Sequence, residues 1–168
     1  AAQLHVNGKI RGKYEGEFET ASVGAVGWYR IASTAGNRAN GKFTLRDYIG
    51  GGGHSTLTFL LGVAYGDASK MSFTLLNHGL YGPTTFTKVR VLESGTYDPI
   101  YLEVYVARTG AMDYSIYDNN QSAGWTPVDW TAGSVPSGYA AREFEVDKLF
   151  AVGDYDDRFV INRGGNVG

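Results

Sequence analysis

The stretch "PIYLEVYVAR", residues 99–108, indicates the fold most directly. Apolar side chains recur at every second position, and polar or aromatic side chains fill the positions between them. The apolar set is Ile100, Leu102, Val104 and Val106, and the alternate set is Tyr101, Glu103 and Tyr105. Successive side chains of a β-strand point to opposite faces. The stretch therefore predicts a strand with one face in a core and a second face that is polar and aromatic.

Similar alternation recurs along the 168 residues, with turn signals between most of the runs. The other candidate strands are residues 27–33, 41–49, 55–66, 70–79, 85–94, 112–118, 142–150 and 158–162. The run 55–66 carries apolar residues on both faces at its middle, which predicts a central strand. So many short strands can each bury one face only against a second sheet or by closing on themselves. We expect an all-β fold, an antiparallel β-sandwich of jelly-roll-like type.

Residues 119–139 contain two tryptophans and two prolines and are predicted to form a long ordered loop. The candidate ligand-binding residues of this region are Asp118, Asn119, Asn120, Trp125 and Trp130. Flat apolar rings beside hydrogen-bonding groups suit a sugar, and they equally suit a protein interface. A structural alternative stays open, in which the two tryptophans plug the end of the sandwich.

Tyr101, Glu103 and Tyr105 are the candidate interface residues. Large aromatic residues on a wholly exposed sheet face would leave an apolar patch that soluble proteins rarely tolerate. We therefore expect this face to be covered, either by a neighbouring subunit or by the second sheet.

Composition argues against several classes of function. The net charge is -2, so the basic excess expected of a nucleic-acid-binding protein is missing. The chain has no cysteine, which removes disulfides and thiolate metal sites. No apolar run approaches the roughly 18 residues of a membrane span. We expect neither nucleic acid nor membrane insertion.

No motif promises catalysis, a metal or a cofactor. The run "IGGGGHS" lacks the lysine and the strand-to-helix context of a phosphate loop. The histidines His5, His54 and His78 lie in separate runs, and "GDYDDR" at 153–158 is interpreted as a solvated turn. There is no Gly-x-Ser-x-Gly elbow and no acid pair in a diagnostic context. The expectation is a protein that is not an enzyme and has no cofactor.

The two ends carry motifs of another kind. "LHVNGKIRG" at 4–12 and "FVINRGGNVG" at 159–168 resemble the linking modules of bacteriophage tail fibres and tailspikes, in which strings of the type "GNVGIGT..P.A.LHVNG" recur between domains. "GWYRIA" and "ANGKF" are also similar to fibre sequences. The resemblance implies a homotrimeric, extracellular virion fibre whose outer domains bind a bacterial surface polysaccharide, lipopolysaccharide or protein.

The resemblance also implies a division of the chain. Residues 1–12 would end one linking module, 13–157 would form the globular sandwich, and 158–168 would supply an exit strand and begin the next module. The expected function is host attachment through non-covalent, multivalent binding to a bacterial surface glycan. Two alternatives stay open: a structural fibre domain for trimerisation and spacing, and a glycan-cleaving enzyme.

Overall fold

The computed structural model describes residues 16–17, 20–50, 53–65, 67, 70–119, 124–146, 148–153 and 158–162. Within these ranges the regular structure is almost entirely β-strand. The strands are β1 (Gly16–Glu17), β2 (Ala21–Val23), β3 (Gly27–Thr34), β4 (Arg38–Asp47), β5 (His54–Ala64), β6 (Ser72–Tyr81), β7 (Phe86–Glu93), β8 (Ile100–Val106), β9 (Gly110–Tyr117), β10 (Thr126–Ala132), β11 (Ala140–Glu145), β12 (Lys148–Gly153) and β13 (Arg158–Asn162). In the same part of the chain, no helix has the length and hydropathy needed to span a membrane.

The strands form two antiparallel sheets. The larger has eight strands in the order β1-β9-β4-β5-β6-β12-β13, with β2 also paired to β9, and the smaller has the order β10-β3-β8-β7-β11. The alternate apolar side chains of both sheets meet in one core, which confirms the predicted β-sandwich. β5 lies between β4 and β6, as the apolar residues on its two faces predicted.

A row of phenylalanine rings crosses the core. Phe43 stacks on Phe59 at a centroid distance of 5.2 Å, and Phe59 stacks on Phe73 at 5.4 Å. These three residues belong to β4, β5 and β6 of the larger sheet. Phe73 then stacks at 4.5 Å on Phe144 of β11, in the smaller sheet. The four rings, one each from β4, β5, β6 and β11, therefore connect the two sheets through stacked contacts in the core.

Two predicted elements differ from the structure. Thr126–Ala132, predicted as part of a loop, is the edge strand β10, in which Trp130 is the one fully inward side chain. Its sequence lacks clear alternation because an edge strand buries few residues, and its Pro127 is tolerated at an edge. The single strand predicted over 142–150 is two strands, β11 and β12, which pair with β7 in the smaller sheet and β6 in the larger.

The strand predicted at 158–162 is β13. It pairs with β12 and so extends the larger sheet of the sandwich itself. Residues 1–12, predicted as the end of a linking module, and residues 163–168 lie outside the described residues.

Candidate functional site

The predicted binding loop is held by an asparagine clamp. Asn119 is buried; its Nδ2 donates to the carbonyl oxygen of Trp125 at 2.7 Å, and its Oδ1 accepts from the Trp125 backbone N–H at 2.6 Å. The exposed Asp118 has a φ of 57°, and its Oδ2 lies 3.3 Å from Nζ of Lys42. The amide side chain thus takes the place of backbone pairing across the loop. Asn120 lies outside the described residues.

Trp125 and Trp130 lie in the core, which corrects the expectation of an exposed aromatic loop. Trp125 is fully buried, edge-on to Phe43 at 5.9 Å, and Trp130 is 8% exposed, packed against Tyr114 at 5.8 Å and Phe86 at 6.2 Å. A buried indole removes a large apolar area from water, which favours this placement over loop exposure. In this conformation neither ring is available to an external ligand, and the alternative of a core plug describes their position.

The outer face of the smaller sheet carries the three predicted interface residues. Arg30 on β3 and Arg90 on β7 both pair in register with Glu103 on β8. Oε1 of Glu103 accepts from Nε and Nη2 of Arg30 at 3.2 and 2.9 Å, and Oε2 accepts from Nε and Nη2 of Arg90 at 2.8 and 2.6 Å. Glu103 is fully buried although its side chain points away from the core. We call Arg30, Arg90 and Glu103 the arginine–glutamate cluster.

Aromatic rings hold the two guanidinium groups of this cluster. The Arg30 guanidinium lies 3.7 Å from the centroid of the Tyr101 ring, and that of Arg90 lies 4.0 Å from the Trp28 ring. Trp28 in turn meets Tyr105 edge-on at 5.3 Å. Cation–π stacking and charge-assisted hydrogen bonds therefore act on the same two arginines.

Glu103 is covered, Tyr101 and Tyr105 are half-buried, and the second sheet does not lie over this face. Tyr101 stacks at 5.4 Å on Tyr139, and a Cβ on Gly133 would lie 2.5 Å from the Glu103 carboxyl carbon. The segment that joins β10 to β11 therefore lies over this face, and the side chains of Arg30 and Arg90 cover it as well. A hydrogen bond to Tyr139 is the main cause that raises the pKa of Tyr101, followed by burial and by the charge of Tyr139, whereas Arg30 acts to lower it. Cover by a neighbouring subunit stays a prediction.

A second feature, which sequence reasoning missed, is a notch on the outer face of the larger sheet. Asn40, Gly62 and Ser72 stand in one cross-strand row on β4, β5 and β6, and Arg38 pairs with Ala64 two rows away, on the same face. The small residues of β5 leave a cleft of about 230 Å³ between polar neighbours. The cationic cleft, as we name it, is lined by Arg38, Ala39, Asn40, Gly62, Val63, Ala64, Lys70 and Ser72.

Two tyrosines stand beside the cationic cleft, and both have left-handed backbone conformations. Tyr65 has a φ of 58° and Tyr97 a φ of 69°, and their rings meet edge-on at 5.2 Å. The Tyr65 N–H donates to the carbonyl of Asn37 at 3.2 Å, and its own carbonyl accepts from the Tyr97 N–H at 2.9 Å. Bulky residues rarely adopt this conformation, which costs on the order of 1–3 kcal/mol. We call Tyr65 and Tyr97 the tyrosine pair.

The tyrosine pair is fixed in position although one ring is open to solvent. Tyr97 is 67% exposed. Nε of Arg38 donates to the Tyr65 hydroxyl at 2.7 Å, which links the pair to the cationic cleft. Small residues at alternate positions of β5, Gly62 and Ala64, followed by "YGDASK" were the sequence signals that could have located this site.

Asp47, His54 and Ser55 bring together the residue types of a hydrolase triad. Oδ2 of Asp47 accepts from the Ser55 N–H at 3.0 Å and from the Thr85 hydroxyl, and its Oδ1 lies 3.7 Å from Nδ1 of His54. Ser55 is buried, and its hydroxyl accepts from the Thr85 N–H at 2.9 Å. His54 and Ser55 are consecutive on β5 and point to opposite faces, so the histidine does not act on this hydroxyl.

In the described part of the chain, no three histidine or carboxylate side chains lie close enough together to hold a metal ion. His5 and the carboxylates Asp154, Asp156 and Asp157 lie outside the described residues. Comparison of the chain with family models, curated proteins and solved structures finds no match.

Proposed function

We propose that this chain is a receptor-binding domain of a bacteriophage tail fibre or tailspike, which attaches the virion to a bacterial surface glycan without cleaving it. The observation that carries the proposal is the tyrosine pair beside the cationic cleft. The tail-fibre context is supported by the end motifs "LHVNGKIRG" and "FVINRGGNVG".

Sugars offer apolar C–H faces and polar rims, so a glycan site needs a ring surface next to hydrogen-bonding groups. Tyr97 offers an exposed ring, and Arg38, Asn40 and Ser72 offer polar groups on adjacent strands. The backbone bonds of Tyr65 and the edge-on contact of the two rings hold the tyrosine pair before any ligand arrives. A preformed site loses less conformational entropy on binding than a mobile one.

The open cleft and one exposed ring suit a weak contact. Weak contacts are sufficient for adhesion when a fibre carries several copies, because each further contact becomes intramolecular once the first has formed. In a homotrimeric fibre the three copies would share one symmetry axis and could engage a repetitive polysaccharide together. The proposed mechanism is reversible multivalent attachment at the outer surface of the bacterium.

A structural fibre domain is the second candidate, and the arginine–glutamate cluster favours it. The cluster and its rings form an ordered layer on the outer face of the smaller sheet. The segment between β10 and β11 covers only part of this layer, and the half-buried Arg30, Tyr101 and Tyr105 are of the residue types enriched at protein interfaces, so the open part suits contact with a second copy of the chain. The two candidates use different faces and make different predictions.

The test is binding of the isolated domain to an array of purified bacterial surface polysaccharides. We expect binding that Tyr97→Ala weakens and that Tyr48→Ala, an exposed tyrosine at the other end of β4, leaves unchanged once folding is verified. Absence of binding to every polysaccharide, together with trimerisation, would favour the structural domain. Release of new reducing ends would identify a glycan-cleaving enzyme instead.

A further inference from the structure

We infer that the cationic cleft binds an anionic group, a carboxylate or a phosphate, carried by the recognised glycan. The inference rests on the proposed function for the identity of the carrier, whereas the anion preference follows from the cleft itself.

The notch exists because Gly62 separates two polar side chains. A Cβ at this position would lie 2.8 Å from Oγ of Ser72 and 3.4 Å from Oδ1 of Asn40. The glycine therefore keeps open a space bordered by a hydroxyl and an amide on neighbouring strands. The Ser72 hydroxyl can donate a hydrogen bond to an oxygen placed there, and Asn40 can do so through Nδ2 when its amide, whose Oδ1 faces the glycine, is turned.

Arg38 presents an unused edge of its guanidinium group. Its Nε donates to the Tyr65 hydroxyl, and the guanidinium carbon lies 5.1 Å from the centroid of the same ring. Within the described residues, Nη1 and Nη2 have no hydrogen-bond partner and no ion pair. A planar pair of N–H donors matches the two oxygens of a carboxylate or phosphate.

The charge balance of the cleft is positive. Nζ of Lys70 lies 3.1 Å from Oδ2 of Asp67, so this carboxylate offsets one of the two cations. Arg38 supplies the remaining positive charge. At roughly 230 Å³ the cleft lies below the 300–1,000 Å³ of ordinary ligand pockets, which suits one charged substituent better than an enclosed molecule.

The experiment records amide NMR spectra of the domain with three related sugars: glucuronate, glucose 6-phosphate and uncharged glucose. We expect at least one charged sugar to shift the signals of Gly62, Ala64 and Ser72, with no shift from glucose at the same concentration. Glucuronate alone would identify a carboxylate site and glucose 6-phosphate alone a phosphate site. Equal shifts with glucose, or no shifts from any sugar at tens of millimolar, would overturn the inference.

Variants distinguish a specific anion-binding site from non-specific electrostatic attraction to the protein surface. Arg38→Gln should weaken binding of the charged sugar at least tenfold, whereas Arg108→Gln, a half-buried arginine whose Nη1 bonds to the Pro83 carbonyl, should not. Gly62→Ala fills the notch and leaves every charge in place, so it should also weaken binding at least tenfold. If Arg38→Gln and Arg108→Gln weaken binding equally, the anion is attracted by overall charge and the inference is wrong.

The inference and the proposed function can fail separately. If charged sugars bind in the cleft but no polysaccharide binds the domain, the cleft is an anion site and the attachment function is wrong. A second outcome separates them the other way. If a polysaccharide whose carboxylates have been reduced and whose phosphates have been removed still binds, and binds Arg38→Gln as well as the parent, the attachment function stands and the anion inference is wrong.

Discussion

Glu103 and Arg90 form a salt bridge on the outer face of a sheet, yet the glutamate has no solvent exposure: its Oε2 lies 2.6 Å from Nη2 of Arg90. Arg30 bonds to the other carboxylate oxygen, so one buried negative charge holds two guanidinium groups together. Removing one member of such a group leaves uncompensated buried charge. The consequences of that removal can be measured.

The first prediction concerns this carboxylate. Glu103→Gln should lower the free energy of unfolding by about 3–5 kcal/mol, because two arginines lose their shared counter-charge. Urea denaturation followed by tryptophan fluorescence measures the loss. Glu143→Gln, which changes a side chain that is 41% exposed, should cost no more than about 1 kcal/mol.

Replacement of the whole cluster completes this test. In the triple variant Arg30→Met, Arg90→Met, Glu103→Leu no charge is left unpaired, so stability should return to within about 2 kcal/mol of the parent. A triple variant as unstable as Glu103→Gln alone would show that the cost arises from packing rather than from charge.

The second prediction concerns Trp125. Trp125→Ala should lower the free energy of unfolding by about 3–5 kcal/mol, because it leaves a cavity beside Phe43 and removes the Nε1 bond to the Leu61 carbonyl at 3.4 Å. Chemical denaturation checks the value, and Trp125→Phe should cost clearly less. If Trp125→Ala left stability unchanged but abolished glycan binding, the indole would face the ligand and its placement in the core would be wrong.

The third prediction compares two glycines that share a left-handed backbone. Gly36 has a φ of 79° and Gly138 a φ of 83°, but a Cβ on Gly36 would overlap the Tyr97 carbonyl whereas one on Gly138 meets open space. Gly138→Ala should cost about 1–2 kcal/mol for backbone strain alone. Gly36→Ala should cost at least ~2 kcal/mol more, because overpacking adds to that strain. Equal melting temperatures for the two variants would contradict the close approach of Gly36 to Tyr97.

The fourth prediction concerns pH. The raised pKa of Tyr101 means that the folded protein keeps this proton at pH values where the unfolded chain, with an ordinary pKa near 10, has lost it. This contribution to stability is therefore complete below about pH 10 and is lost as pH rises through the folded pKa. Tyr139→Phe, which removes the main cause of the shift, should move the Tyr101 ¹³Cζ titration to lower pH. A titration that does not move would rule out the hydrogen bond as the cause.

The sequence predicts this fold well wherever a strand buries one full face. β3, β5 and β8 begin and end within two residues of their predicted limits because alternation defines them. β10 was not predicted because it has one inward side chain, Trp130, so its sequence shows no alternation of apolar and polar residues. The break between β11 and β12 was not predicted either. The two strands are separate because they pair with different sheets, and no turn residues in the sequence mark the boundary.

The candidate sites were less predictable because they depend on register. The chain's own segment between β10 and β11 lies over part of the face of Tyr101, Glu103 and Tyr105, which was not among the expected covers. Only strand pairing places Arg30 and Arg90 beside Glu103. The cationic cleft likewise requires Asn40, Gly62 and Ser72 to align across three strands. For Trp125 and Trp130 the sequence left two placements open, a binding loop and a core plug, because a polar sequence around an indole does not reveal which way the ring points; the structure has both in the core.

The order of strands in the larger sheet also determines how the domain would carry mechanical load. β1 lies at one end of that order and β13 at the other, so a force applied between them crosses successive ladders arranged in series. Each ladder then bears the whole force, and the shortest is the first to open. Among the described residues, the register between β6 and β12 is a single pair, Ala151 with Leu75, whereas β4 and β5 share nine pairs from Arg38↔Ala64 to Arg46↔Thr56. Under tension the β12–β13 hairpin would peel away as a unit and leave the rest of the sandwich, including the tyrosine pair and the cationic cleft, intact.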